Sequence, residues 1–135
     1  SKSKGNGVDP LEIINDGYGA DALRTYLMFA APLEIGARWD PQGVPGAYRF
    51  INRVWNITQE FIEKSEKNDI QKSEGQNTLV LKAVHPAIKK VTSDIEEQKY
   101  NTAIAALMKC TNDLYEIKAK DGFASRKLRA RLYAC

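Results

Sequence analysis

Between residues 44 and 62 the chain repeats an apolar or borderline residue at alternating steps of four and three: Val44, Tyr48, Ile51, Trp55, Thr58 and Ile62. That spacing matches the turn of an α-helix and is incompatible with the two-residue alternation of a half-buried strand. Ala47, Phe50, Val54, Ile57 and Phe61 widen the stripe, as expected for a helix that buries a broad face inside a bundle. No stretch of useful length alternates apolar and polar residues, and no segment repeats another. The expected fold class is therefore all-α, an antiparallel helical bundle.

The flanking sequence supplies further helices and their stops. Asp9-Pro10-Leu11-Glu12 reads as an N-cap, a first-turn proline and an acid where a capping box places one. Gly17 and Gly19 are expected to end that helix. A second helix is expected over 20–31, with Leu23, Leu27 and Ala30 on its inner side and Pro32 as the stop. Asp40-Pro41 repeats the cap-and-proline signal before the long helix, which runs to about Lys64. Residues 65–77 are polar and read as an exposed connection. Leu81, Val84, Ile88, Val91 and Ile95 resume the helical period, and Pro86 within it marks either a kink or the meeting of two helices. Tyr100, Ala103 or Ile104, Leu107, Thr111 and Leu114 mark one more helix, followed by the Asp121-Gly122 turn.

Charge narrows the function classes. The chain has 135 residues with 20 Lys+Arg against 17 Asp+Glu, a net +3. Six of those cations (Lys118, Lys120, Arg126, Lys127, Arg129, Arg131) and one acid lie from residue 118 onward, so the body is slightly acidic. A uniformly basic nucleic-acid binder is excluded; any such contact must be a local patch. One histidine and two distant cysteines make no metal motif and no Ser-His-Asp arrangement, so a metal site is not expected. No apolar run approaches the roughly 20 residues of a membrane span.

Two segments carry candidate chemistry. Ser1-Lys2-Ser3-Lys4-Gly5-Asn6-Gly7 combines point cations, hydroxyl donors and glycines, the parts of a polyphosphate site, without the spacing of a Walker loop. By composition alone the plainer reading is an ordinary disordered terminus. On the long helix, Arg49, Asn52, Arg53 and Asn56 fall at i, i+3, i+4 and i+7 and line one polar stripe suited to phosphate-backbone contact. A solvated face is the plainer alternative. Farther along, Gln59, Glu60 and Glu63 are expected to turn the same side acidic. Tyr48, Phe50, Trp55 and Phe61 sit at core spacing and are expected to pack, not to stack on bases. Trp39 is expected at the joint between the first helices and the bundle, and His85, before Pro86, in a structural role.

Several stretches resemble a known family. Ser1-Lys2-Ser3-Lys4-Gly5-Asn6 resembles the end of the KMSKS loop of class I aminoacyl-tRNA synthetases. Gly7-Val8-Asp9-Pro10, Tyr18-Gly19-Ala20-Asp21-Ala22-Leu23-Arg24 and Tyr26-Leu27-Met28-Phe29-Ala30-Ala31-Pro32-Leu33-Glu34 look like bacterial leucyl-tRNA synthetases. So do Tyr48-Arg49-Phe50-Ile51-Asn52-Arg53-Val54-Trp55 and Asn101-Thr102-Ala103-Ile104-Ala105-Ala106-Leu107-Met108. Their order and spacing carry the resemblance from residue 1 to about 124; Arg126 to Cys135 does not match well.

The resemblance implies an enzyme that activates leucine with ATP, accompanied by magnesium, and transfers it to tRNA(Leu). Lys2 would be the catalytic lysine that stabilises charge on the polyphosphate, with Ser1 and Ser3 beside ATP. It implies three parts: 1–8 as a loop remnant, 9–39 as a stem-contact helical segment, and 40–135 as an anticodon-binding-type bundle, truncated. That bundle would dock on the tRNA backbone through Arg49, Asn52, Arg53 and Asn56. The 135 residues hold no HIGH motif, no Rossmann strands and no editing domain. The chain is therefore expected to be a piece inactive by itself, cytoplasmic, binding neither membrane nor DNA. It is expected to be monomeric, with self-association possible through apolar helix faces. The alternative is a free-standing helical module that binds protein or RNA without catalysis.

Overall fold

The computed structural model describes residues 8–32, 35, 39–66 and 74–121, with side chains for all of these but 65, 66, 74–77 and 121. Five α-helices follow in order: α1 (Pro10–Ile13), α2 (Gly19–Phe29), α3 (Gly43–Glu66), α4 (Glu74–Glu96) and α5 (Tyr100–Asp121). The described residues contain no strand.

The Asp9 carboxylate accepts from the Leu11 N–H at 2.9 Å and Pro10 opens α1, as its sequence signal predicts. The helix then widens into a π-helical turn, Ile14–Tyr18, where Gly17 (φ 93°) leads into Gly19 (φ 77°) and α2. These left-handed conformations are open to glycine and costly for other residues.

Ala22, Leu23 and Tyr26 of α2 pack with Val44 and Ala47 of α3 in one buried cluster, flanked by Ile13, Ile14, Tyr18, Ala30, Trp39 and Ile51. Leu27, expected inside, is 54% exposed, and Tyr26 takes the inner position instead. The reason is its partners: the Trp39 ring stands edge-on to the Tyr26 ring at 5.2 Å, and the Tyr26 hydroxyl accepts from the Asp40 N–H at 2.8 Å. Asp40 in turn accepts from the Gln42 N–H through its side chain and from the Gly43 N–H through its carbonyl. The Asp40-Pro41 signal thus makes a turn first and the helix two residues later.

α2 and α3 run antiparallel, since Tyr26 lies by Asp40 while the rings of Tyr18 and Tyr48 meet edge-on at 5.6 Å. α2 has 11 residues and α3 has 24, about 16 Å against 36 Å. The stripe of α3 therefore outruns its cover. Trp55, expected in the core, is 63% exposed, and Val54 is exposed as well, while Val44, Ala47 and Phe61 are buried.

α4 is one continuous helix through Pro86, so two helices do not meet there. Its buried line is Val80, Ala87 and Asp94, one position off the expected stripe, and Ile88 and Ile95 are exposed. On α5, Ala103 and Thr111 are buried and Leu107 is exposed. The apolar surplus arises because α4 packs chiefly on α5. α5 also packs on α2 and α3.

A tight turn joins α4 to α5. The Lys99 N–H donates to the Asp94 carbonyl at 2.7 Å and the Gln98 N–H to the Ile95 carbonyl at 3.1 Å, with Gln98 left-handed (φ 58°). This is a Schellman closure with glutamine where glycine is usual. The buried Asp94 carboxylate receives Lys90 at 2.6 Å and the Thr102 hydroxyl at 2.7 Å, stapling the two helices. These two donors, Lys90 foremost, hold its carboxyl below the ordinary 3.8 against the opposing effect of burial.

Candidate nucleic-acid interface

The helical period puts Arg49, Asn52, Arg53 and Asn56 on one side of α3, as their spacing requires. Arg49, Arg53 and Asn56 are exposed and Asn52 is half-buried. Ser1, Lys2 and Ser3 lie outside the described residues, as do Arg126, Lys127, Arg129 and Arg131.

The stripe is not uniform. Arg53 is bound into a seam with α5: its Nη1 donates to the Asn112 Oδ1 at 2.7 Å, and its guanidinium carbon sits 4.7 Å from the Tyr115 ring centroid. The Tyr115 hydroxyl returns a bond to the Arg53 carbonyl at 2.9 Å. Lys118 Nζ lies 5.3 Å from the same centroid and also donates to Glu60. Lys64 pairs with the other Glu60 oxygen at 3.0 Å. These contacts climb both helices in the same direction, so α3 and α5 run parallel.

The pairing changes the electrostatics read from the sequence. Glu60 was expected to make this side acidic. The Lys118 hydrogen bond and then Lys64 hold its carboxyl below the ordinary range, with partial burial opposing them, so its charge is spent on two lysines. The edge carries Arg49, Arg53, Lys64 and Lys118 against Glu60 and Glu63, a positive balance. It is suited to phosphate, with guanidinium forks and amide donors and no acid/base pair. By contrast, a cleft of about 290 Å³ between α4 and α5 sets Lys82 and Lys120 against Asp113 and Glu116 over Leu79, Ala83 and Ile117. Its charges cancel.

Asn112 and Tyr115 were not singled out by sequence, and Lys118 entered only as part of the basic tail. Their one sequence signal is that they share a face of α5 by helical spacing, which does not say what that face meets. Among the described residues no group of three His, Cys, Asp or Glu side chains could hold a metal. Among these residues no helix is long and apolar enough to cross a membrane.

No family model matches the chain. It is 43% identical over 125 residues, 93% of its length, to a leucine–tRNA ligase of Deinococcus radiodurans. It is 44% identical over 87% of its length to that of Blochmanniella floridana, and 46% identical over 84% to that of Wigglesworthia glossinidia brevipalpis. In each case the match covers 14% of the relative, so the chain spans about one seventh of their length. Its fold matches the agnB2 LeuRS of Agrobacterium radiobacter K84, crystallised as a ternary complex with tRNA and LeuAMS. The TM-score is 0.74 and the identity 31%, covering 89% of this chain and 16% of that one. In sequence and in helical architecture, the chain belongs to the leucyl-tRNA synthetase family, matching a segment of it.

Proposed function

We propose that this chain is the tRNA-docking portion of an enzyme that uses ATP to attach leucine to tRNA(Leu). The observation that carries the reading is 43% identity to a leucine–tRNA ligase across 93% of the chain. In this reading residues 1–8 are the end of the ATP-binding KMSKS loop, 9–39 the stem-contact segment, and 40–135 the bundle that rests on the tRNA. Lys2 stabilises negative charge on the polyphosphate as the leucyl adenylate forms, and Ser1 and Ser3 lie beside ATP. Arg49, Asn52, Arg53 and Asn56 take phosphates of the tRNA backbone. The enzyme works in the cytoplasm, with leucine, ATP and tRNA(Leu) as its partners.

Two assays test this. The isolated chain binds tRNA weakly and salt-sensitively, and Arg49→Ala with Arg53→Ala lowers that binding; unchanged binding removes the stripe from the interface. The isolated chain gives no leucine-dependent ATP–pyrophosphate exchange; any exchange overturns its role as a docking portion alone.

The exposure of Leu27, Met28 and Phe29 at one end of α2, and of Trp55 on α3, favours a second reading as a helical module that binds protein. Light scattering separates them: a monomer that binds tRNA supports the first, and a tight dimer without RNA affinity supports the second.

A further inference from the structure

Resting on the RNA-docking reading above, we propose that α5 supplies the second half of the phosphate-contact edge. In this proposal Tyr115 is the positioning residue that holds Arg53 and Lys118 together on it. Three observations lead there. First, both cations lie within 5.3 Å of one ring centroid, Arg53 at 4.7 Å and Lys118 at 5.3 Å. Arg53, Lys118 and Lys64 meet the single carboxylate of Glu60 there, which leaves the seam positively charged. An arriving phosphate completes the neutralisation.

Second, Arg53 is immobilised at both ends. Tyr115 donates to its backbone carbonyl and underlies its guanidinium, while Asn112 fixes one nitrogen. The guanidinium keeps further N–H donors, and the residue is exposed. A cation fixed in advance loses less side-chain entropy when it binds. Third, Lys118 and Lys64 share Glu60, so two cations face one carboxylate and the group stays net positive. The Tyr115 ring serves here as a seat for two cations. The edge it organises holds the RNA backbone.

The experiment is an anisotropy titration of the 135-residue chain with a labelled leucine tRNA transcript at several salt concentrations, with helical content and melting recorded for each variant. Lys118→Gln is expected to weaken binding about threefold and to reduce the slope of log K against log salt by about one. Glu60→Gln is expected to tighten binding, an effect that a merely structural seam would not produce. Tyr115→Leu is expected to weaken binding about fivefold, and Tyr115→Phe, which keeps the ring, to stay within about twofold of the parent.

If Arg49→Ala weakens binding while Lys118→Gln and Glu60→Gln change neither affinity nor slope, α5 has no part in the edge. The proposal is then overturned and the docking reading survives. If the unaltered chain does not bind tRNA, both fall. Should Tyr115→Leu fail to fold, Lys118→Gln and Glu60→Gln decide the matter alone.

Discussion

The hydroxyl of Tyr26 accepts a hydrogen bond from the backbone N–H of Asp40 at 2.8 Å, tying the last turn of α2 to the residue that opens the turn into α3. The bond sits beside the edge-on Trp39 ring and directly over Gly43. One tyrosine thus joins the N-terminal helical segment to the start of α3.

Gly43 is a place where the usual helix rule reverses. Glycine to alanine within a helix ordinarily gains up to about 1 kcal/mol. Here a Cβ would overlap the Tyr26 ring. Gly43→Ala is expected to destabilise the chain by about 1–3 kcal/mol, measured by urea denaturation. Tyr26→Phe, which loses only the Asp40 bond, is expected to cost about 1 kcal/mol.

The turn between α4 and α5 offers the opposite case. Gln98 holds φ 58°, a conformation that favours glycine. Gln98→Gly is expected to raise the melting temperature, with a gain of about 0.5–1 kcal/mol; a fall would mean the side chain does more than the backbone strain costs.

Acid stability follows from three carboxylates. Asp94 is lowered chiefly by Lys90, Glu60 by Lys118, and Glu97 by Lys99. A carboxyl that is more acidic in the folded chain favours folding above its unfolded pKa, and that contribution disappears as pH falls through the folded value. Stability is therefore expected to hold from neutral pH to about 4 and to decline below it. Asp94→Asn is expected to lower the melting temperature at pH 7 and to flatten its dependence on pH below 4.

The two arginines of the stripe are expected to separate in their effects. Arg53→Ala loses the Asn112 bond and the Tyr115 contact, costing about 0.5–1 kcal/mol of stability as well as RNA affinity. Arg49 makes no such contact among the described residues, so Arg49→Ala is expected to reduce affinity and leave the melting temperature unchanged. Parallel thermal melts and tRNA titrations of the two variants check this.

Local signals were legible in the residues themselves. Asp9 and Pro10 open a helix because a cap and a fixed φ act within one turn, and Gly17 and Gly19 turn the chain out of it because a positive φ costs glycine least. The period of α3 and the placing of Arg49, Asn52, Arg53 and Asn56 on one side of it depend only on 3.6 residues per turn. Family membership was legible too, as ordered short stretches of sequence.

What the sequence alone determined, then, was the helices, their caps and the shared face of the stripe, all set by interactions within a turn or two. Only the tertiary structure decided which faces are covered. Trp55 has core spacing yet lies exposed because α2 ends short of it, and Leu27 yields its inner place to Tyr26 because Trp39 and Asp40 reach that ring. It also decided that Arg53 meets Tyr115 across 62 residues and that Glu60 is claimed by Lys118. Such contacts depend on which helices lie side by side and in which direction, and helical spacing carries no information about that.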